Sequence, residues 1–340
     1  MEPRSTGNIQ YEDQDEPCHG GCCPWLNCFS RLFRASVIYA DVPKANDYSP
    51  IGDNDDQAPP SDSAIQSAIK KALALPGFFS TTYRITIDGK VSAFKKWKPE
   101  MSSYLSDKDQ LIEQLLRLNH ESLRITYSYH VHLGGLLQEY LPYSLRQLMT
   151  LKGDKLPQCK ERLSILKDVI NGLCYLRDSN VVHNCLTSTN VLIDNNGSAK
   201  ISDGCLDFTG SVHAQSTLPS HVGKIGYCCN EALCGKVIPA NDIYSFGAIC
   251  LELVSGEPIF VKKRRPSMLR DYLMHASHKN WKKLKDKRIS WKVAITKIDI
   301  YRPRKKLLNL AAWCLAETTQ ERPPNFEVQR TCIDLYERWP

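Results

Sequence analysis

Apolar and polar residues alternate in one part of the chain, and this pattern predicts β-strands. Residues 83–87 and 91–95 each place alternate positions on one face, and Asp88-Gly89 separates the two runs. Asp-Gly between alternating runs is typical of a two-residue turn, so the pattern predicts a β-hairpin. A further apolar run at residues 133–140 predicts another strand.

Helical spacing dominates the rest of the chain. In four segments the apolar residues recur every three or four positions. These segments are residues 65–73, 108–118, 160–177 and 243–253. Strands followed mainly by helices predict an α+β protein in two parts. The chain shows neither the apolar run of a signal peptide nor one long enough to span a bilayer, so we expect neither segment.

Several motifs resemble those of the eukaryotic protein kinases, in the order of that family. One central segment resembles the long helix, catalytic loop and metal-binding segment: residues 162–208, RLSILKDVINGLCYLRDSNVVHNCLTSTNVLIDNNGSAKISDGCLDF. Three later segments resemble the end of the activation segment, the helix after it and a late stretch with a buried arginine. They are residues 223–231 (GKIGYCCNE), 242–254 (DIYSFGAICLELV) and 313–323 (WCLAETTQERP). Upstream, Ala93-Phe94-Lys95 resembles the strand that carries the nucleotide-binding lysine.

This resemblance implies a fold and a domain organisation. It covers about residues 70–337 and implies a two-lobed protein-kinase-like fold. The small, sheet-rich N-lobe would comprise residues 63–138 and the large, helical C-lobe residues 139–340. The short motifs YSFG, CLA and ERP are most similar to those of the tyrosine-kinase-like branch, which includes receptor-like and interleukin-receptor-associated kinases. Residues 1–62, rich in Asp, Asn, Pro and Ser, are predicted to be a mostly disordered tail.

The resemblance also implies which residues would contact ATP and Mg²⁺. Lys95 would hold the phosphates, and its place on one strand face with Ala93 favours that role over a solvated lysine. Asn190 and Asp203 would hold Mg²⁺. The implied nucleotide-binding positions are Gly77, Ala93, Lys95, Gln138 and Glu139.

Four further positions match residues that hold the kinase fold together. His183 belongs to the catalytic loop, and Asp242 would accept hydrogen bonds from the backbone N–H groups of that loop. Glu231 and Arg322 would form the buried ion pair that ties the activation segment to the late helices. Losing one partner of such a pair is strongly destabilising, so these matches indicate that the fold is maintained.

The catalytic loop departs from the family at three positions. Cys185 stands in place of the catalytic aspartate, and a thiol cannot replace a carboxylate that accepts the hydroxyl proton. Asn184 replaces the usual arginine, and Thr187 replaces the usual lysine. These changes predict that phosphotransfer is lost.

Three other motifs are also altered. The glycine-rich loop keeps only Gly77 of its three glycines, which predicts weaker phosphate binding. Leu111 stands where the family has the glutamate that pairs with Lys95. After Asp203, Gly204-Cys205 replaces the usual Phe-Gly, which removes an apolar residue from between the lobes.

Two functions follow from these observations. The first is a catalytically impaired domain, a pseudokinase, that acts as a signalling scaffold or allosteric regulator and binds ATP with Mg²⁺ weakly or not at all. Its partners would be signalling proteins such as an active kinase or a receptor. The alternative is an active or weakly active ATP-dependent serine/threonine protein kinase that uses Lys95, Asn190 and Asp203.

Composition agrees with a globular protein in a reducing compartment. With 42% hydrophobic and 24% charged residues among 340, a fibrous or wholly disordered chain is excluded. The 14 cysteines are too dilute for a disulfide scaffold, so we expect a cytoplasmic location.

A cluster of four cysteines stands out in the predicted tail, among apolar residues and two arginines at residues 18–34. Its members are Cys18, Cys22, Cys23 and Cys28. Three interpretations remain open: palmitoylation that anchors the chain peripherally on the inner face of the plasma membrane, zinc binding, or an unmodified tail.

Charge is unevenly distributed around a net value of +7. Residues 1–62 carry a balance of −7, and residues 262–306 carry +14. The basic stretch is interpreted as a solvated face, or as a surface for anionic lipid or an acidic partner. It has no recognition motif for nucleic acid, so no nucleic-acid partner is expected.

Overall fold

The computed structural model describes residues 59–77, 80–99, 108–203, 225–275, 284–294 and 300–340. All described residues belong to one compact unit. The cysteine cluster lies outside the described residues, so its modification stays a prediction. None of the helices within the described ranges is both long and apolar enough to cross a membrane.

A five-stranded antiparallel sheet forms the N-terminal lobe. Its strands are β1 (Leu73–Pro76), β2 (Ser80–Ile87), β3 (Lys90–Trp97), β4 (Thr126–His130) and β5 (Gly135–Glu139). The spatial order β1-β2-β3-β5-β4 places β3 at the centre of the sheet. Two helices accompany the sheet: α1 (Asp62–Lys70) precedes it, and α2 (Lys108–Arg117) follows β3 in the chain.

The hairpin of β2 and β3 forms where the alternating pattern predicts it. Asp88 and Gly89 have φ angles of 51° and 77°, as the two central residues of this hairpin turn require. The register places Lys95 opposite Thr82, and most of β3 is buried. The turn thereby fixes which residues of the central strand lie inside the fold.

The first helix begins and ends earlier than its apolar spacing predicts. Ser61 caps α1 by accepting the N–H of Ala64, and Ile65 is fully buried against the sheet. Leu73, predicted to extend this helix, instead begins β1, is exposed and pairs with Arg84. The prediction was wrong there because strand pairing with β2 outweighs a local helical spacing.

The C-terminal lobe is mainly helical. Its elements are, in chain order, β6 (Tyr143–Ser144), α3 (Leu145–Leu148), α4 (Cys159–Asp178), β7 (Val191–Ile193), β8 (Ala199–Ile201), α5 (Asn230–Leu233), α6 (Pro239–Ser255), α7 (Leu269–His275), β9 (Val293–Ala294), β10 (Ile300–Tyr301), α8 (Arg304–Cys314) and α9 (Asn325–Glu337). Strands β6, β7 and β8 form a small sheet, and the predicted catalytic loop connects α4 to β7. The sheet-rich lobe followed by a helical lobe confirms the predicted α+β, two-lobed fold.

Helix α6 is the centre of the C-terminal lobe. All its residues from Asn241 to Ser255 are buried. It packs closely on α8, because a Cβ atom added to Gly247 would lie 2.6 Å from the Cβ atom of Cys314. The helix ends at Gly256, whose φ of 75° suits glycine. This packing fixes the first turn of α6, which carries Asp242.

The basic stretch at residues 262–306 contributes to this lobe as well as to its surface. Arg264 donates hydrogen bonds to four backbone carbonyl groups within the described residues. Arg288 donates to both carboxylate oxygens of Asp286 at 2.9 Å, and Arg162 reaches the same carboxylate at 2.7 Å. These two arginines of the stretch therefore stabilise the fold, in addition to any role as a solvated or lipid-binding face.

Candidate nucleotide cleft

Asp242 anchors the predicted catalytic loop. One carboxylate oxygen accepts the N–H of His183 at 2.8 Å, and the other accepts the N–H of Asn184 at 2.7 Å. Asn184 has a positive φ of 52°, which asparagine tolerates better than most residues, and its side-chain oxygen accepts from Asn241. The loop is therefore held as the resemblance predicts, although Asn184 replaces the usual arginine.

Cys185 is buried in the middle of this loop. Its N–H donates to Nδ1 of His183 at 3.2 Å, and Nε2 of His183 lies 3.0 Å from the carbonyl oxygen of Ser202. These two bonds place the ring proton of neutral His183 on Nε2. The loop is thus well ordered around a thiol, at the position where a kinase has the carboxylate that accepts a proton.

Asn190, the first predicted metal ligand, points its amide nitrogen into the loop. Nδ2 donates to the carbonyl oxygen of Cys185 at 2.8 Å and lies 3.4 Å from the Cys185 sulfur. Thr187, at the position of the usual lysine, is buried, and its hydroxyl is hydrogen-bonded to that of Thr189 at 2.7 Å. Neither Cys185 nor Thr187 supplies the charge that the family has at these positions.

Asp203, the second predicted metal ligand, is paired with Lys95. Lys95 Nζ lies 2.9 Å from Asp203 Oδ1, and Arg124 Nη1 lies 3.9 Å from the same oxygen. Burial acts to raise the pKa of Asp203, but the charges of Lys95 and Arg124 outweigh it and hold the pKa below its ordinary value. The carboxylate that would hold Mg²⁺ is therefore already matched by cations of the chain itself.

Arg124 is a residue of the cleft that the sequence reasoning missed. It lies between α2 and β4, and its side chain is only 7% exposed. Its Nε donates to the backbone carbonyl of Glu139 at 2.9 Å. Burial lowers the pKa of Arg124, and the negative charges of Asp203 and Glu139 oppose that change. The sequence does contain one indication of this role, since Arg124 stands between Leu123 and Ile125. A charged side chain inside an apolar run is buried only when it is paired, so a partner in the fold could have been expected.

The end of β5 carries the predicted nucleotide contacts Gln138 and Glu139. The carboxylate of Glu139 is bound by Lys200 Nζ at 2.8 and 3.0 Å. Gln138 is buried opposite Ala93 in the strand register, and its Nε2 donates to the Thr126 hydroxyl at 3.0 Å. Its Oε1 has no hydrogen-bond partner among the described residues.

A small cavity lies beside these residues. It has a volume of about 40 Å³ and is lined by polar and apolar side chains, among them Arg124, Gln138, His183 and Asp203. That volume is large enough for one water molecule, to which the Gln138 oxygen and the Arg124 guanidinium could both hydrogen-bond. It is too small to admit a nucleotide.

Gly77 lies between β1 and β2, where the glycine-rich loop is predicted. Its N–H donates to the carbonyl of Ser80 at 2.8 Å, and a Cβ atom at this position would lie 2.9 Å from that oxygen. Glycine is therefore required by the close approach of the chain to itself. Because this N–H is already bonded, it does not offer the open donor that a phosphate needs.

Helix α2 does not supply the partner of Lys95 through Glu113. The Glu113 side chain is 67% exposed and lies 3.5 Å from Arg117 on the same helix. The side chain of Leu111 lies outside the described residues, as do Gly204-Cys205. Within the described part of the chain, the carboxylate that pairs with Lys95 is that of Asp203.

The ion pair between Glu231 and Arg322 is formed as predicted. Arg322 Nη2 lies 2.8 Å from Glu231 Oε2, and the Arg322 side chain is 1% exposed. Arg322 also donates to the backbone carbonyls of Ala240, Ala316 and Glu317. This pair joins α5 to the segment before α9, so it holds the two regions that the resemblance predicts it to hold.

Comparison with known proteins agrees with this geometry. The model of the protein kinase domain matches residues 76–331, well over half of the chain. The "Probable leucine-rich repeat receptor-like protein kinase IMK3" of Arabidopsis thaliana is 32% identical over 189 residues, which are 53% of this chain and 24% of that protein.

Two further relatives from the same plant match a larger share of the chain. The "Probable serine/threonine-protein kinase PBL18" is 29% identical over 257 residues, 73% of this chain and 65% of that protein. The "Serine/threonine-protein kinase CDG1" is 28% identical over 288 residues, 76% of this chain and 63% of that protein. The chain thus spans between about a quarter and two thirds of the length of these relatives.

The matched region covers most of both lobes and every predicted site residue from Gly77 to Arg322. Protein kinase domains generally bind ATP with Mg²⁺ in the cleft between their lobes. The order of motifs, the two-lobed fold and the ion pair of Glu231 with Arg322 all agree with that match. This chain belongs to the protein kinase family.

Proposed function

We propose that this protein is a catalytically impaired member of its family and acts in signalling as a scaffold or an allosteric regulator. Cys185, at the position of the catalytic aspartate, is the observation that carries the proposal. A general base contributes roughly 10²–10⁴-fold to a reaction rate, and Cys185 does not supply one. The hydrogen bonds of Asp242 and the Glu231–Arg322 ion pair are kept. This supports a protein that keeps the kinase fold in order to bind partners rather than to catalyse a reaction.

We also propose that ATP with Mg²⁺ binds weakly or not at all. In the family, Mg²⁺ neutralises phosphate charge. Here Asp203 is paired with Lys95, and the Gly77 N–H is bonded to Ser80. Asp203 and the Gly77 N–H would have to lose these partners to hold the metal and the phosphates, which supports weak binding.

The alternative function is an active or weakly active ATP-dependent serine/threonine protein kinase. It is favoured by Lys95, Asn190 and Asp203, which remain at the family's nucleotide and metal positions. Relatives described as serine/threonine kinases support it in the same way. The two functions differ in whether phosphate is transferred.

A phosphotransfer assay separates the two functions. We expect the purified full chain, given radiolabelled ATP, Mg²⁺ or Mn²⁺ and casein, to transfer no more phosphate than its Asp203→Asn variant. Cys185→Asp should restore little activity, because the altered glycine loop and Thr187 remain. Robust Mg²⁺-dependent transfer by the wild type that is abolished in Asp203→Asn would instead establish the active kinase.

We further propose that residues 18–34 attach the protein to the inner face of the plasma membrane, near its partners. Two or more acyl chains on the four cysteines would anchor it stably. Those partners would be signalling proteins such as an active kinase or a receptor, with the basic stretch as a second contact for anionic lipid.

Fractionation of cells tests this attachment. Hydroxylamine cleaves thioesters, so we expect it to move the chain from the membrane to the soluble fraction. Replacing all four cysteines of the cluster by serine should do the same, whereas Cys234→Ser, at an exposed cysteine of the C-terminal lobe, should not. A wild-type chain found entirely in the soluble fraction would contradict acylation.

A further inference from the structure

The backbone on both sides of Arg124 is fixed by hydrogen bonds to neighbouring strands. The N–H of Arg124 donates to the carbonyl of Ile201 at 2.9 Å, and the N–H of Ile201 donates to the carbonyl of Ser122 at 2.8 Å. The next residue, Ile125, accepts the N–H of Glu139 at 2.9 Å. The side chain therefore starts from a fixed point between the end of β5 and the end of β8.

From this point the guanidinium bridges the cleft. Nε donates to the Glu139 carbonyl at 2.9 Å, and Nη1 lies 3.9 Å from the Asp203 carboxylate. Glu139 is a predicted nucleotide-binding position and Asp203 a predicted metal ligand. The Arg124 side chain thus contacts both a residue predicted to bind the nucleotide and a residue predicted to bind its metal ion.

The surrounding charges complete this arrangement. Lys95 Nζ lies 2.9 Å from Asp203, and Lys200 Nζ lies 2.8 Å from the Glu139 carboxylate. The carboxylates of Asp203 and Glu139 are therefore each paired with a lysine of the chain. A divalent cation at Asp203 would have to approach Lys95 and Arg124, and like charges at such distances repel.

We infer that Arg124 acts as an internal substitute for the nucleotide: its side chain lies across the cleft between Glu139 and Asp203 and connects the two lobes without ATP. The two lobes would then keep the same relative arrangement with or without nucleotide, which suits a scaffold whose partner surface must not depend on nucleotide. This inference rests on the proposed weak binding of ATP and gives its cause, and it is separate from the proposed loss of the chemical step.

Removing the arginine should open the cleft. We expect the full chain to show no thermal shift with millimolar ATP, with or without Mg²⁺, and no fluorescence rise with a trinitrophenyl derivative of ATP. Arg124→Val and Arg124→Met, which remove the guanidinium and keep an apolar stem, should both gain binding, tighter than the wild type by about tenfold or more. Adding Lys95→Met to either variant should abolish the gain.

Arg117→Val is the matched control, because the Arg117 side chain on α2 is 80% exposed. We expect this substitution to leave nucleotide binding at the wild-type level. Equal nucleotide affinity in wild type and Arg124→Met, or no binding by either variant, would overturn the inference. If Arg124→Val does not fold, Arg124→Met decides; if neither folds, Arg124 is needed for folding itself and the inference is wrong.

The inference and the proposed function fail separately. Phosphotransfer to casein by Arg124→Met, once the nucleotide enters, would contradict the proposed impairment at Cys185 and leave the role of Arg124 intact. Nucleotide binding by the wild type without phosphotransfer would overturn the role of Arg124 and leave the impairment intact.

Discussion

The Glu231–Arg322 pair makes a quantitative prediction about stability. Glu231 Oε2 binds Arg322 Nη2 at 2.8 Å, and Glu231 Oε1 accepts the Thr319 hydroxyl at 2.6 Å. Burial acts to raise the pKa of Glu231, but these two hydrogen bonds outweigh it and lower the pKa from 4.5 to about 2. Glu231→Gln keeps the shape of the side chain and removes the charge.

The magnitude follows from that pKa. The difference between 4.5 and about 2 corresponds to about 3 kcal/mol of stability at neutral pH. The Glu231 side chain is 16% exposed, and water screens part of the interaction, so we expect Glu231→Gln to lower the free energy of unfolding by about 2 kcal/mol. For a domain of this size, that loss lowers the melting temperature by about 4–8 °C.

The pH dependence has a definite sign. The pKa of Glu231 is lower in the folded state, so its contribution is complete above pH 4.5 and is lost as the pH falls towards 2. At pH 3.5 about 60% of it should remain. The difference between wild type and Glu231→Gln should therefore shrink in acid.

Urea unfolding of the full chain, followed by circular dichroism between pH 7 and pH 3.5, measures this difference. Glu317→Gln is the control, because that carboxylate is 72% exposed beside Arg270 and should change stability by less than about 0.5 kcal/mol. Equal stability of wild type and Glu231→Gln at pH 7, or a difference that grows as the pH falls, would refute the reasoning.

Two further variants test the anchoring of the cleft and the core beneath it. Asp242→Asn removes the carboxylate that accepts the N–H groups of His183 and Asn184. Urea unfolding should therefore show a free energy of unfolding lower by about 3 kcal/mol, and an unchanged midpoint would contradict this. Gly247→Ala would place a Cβ atom 2.6 Å from that of Cys314, so α6 must move from α8 at a cost of about 1–3 kcal/mol, and a melting temperature equal to that of the wild type would show that the contact is not tight.

Local patterns in the sequence were sufficient for the elements and for the family. The hairpin around Asp88-Gly89 depends on a turn that two adjacent residues determine, and it forms as predicted. The order of the motifs is sufficient to locate Cys185 and the Glu231–Arg322 pair. The helix predicted at residues 65–73 shows the limit, because Leu73 follows its pairing with β2 rather than its spacing.

Tertiary structure alone decided which charges meet in the cleft. Lys95 lies on the central strand β3, Arg124 lies between α2 and β4, and Asp203 follows β8. Their spacing in the sequence does not predict that Lys95 and Arg124 both approach Oδ1 of Asp203. The polarity of Arg124 was visible, but its partner was not, because a buried guanidinium takes whichever carbonyl and carboxylate the packed backbone brings within reach. The sequence therefore determined the fold and the family, and only the folded chain determined that Lys95 and Arg124 meet at the carboxylate of Asp203.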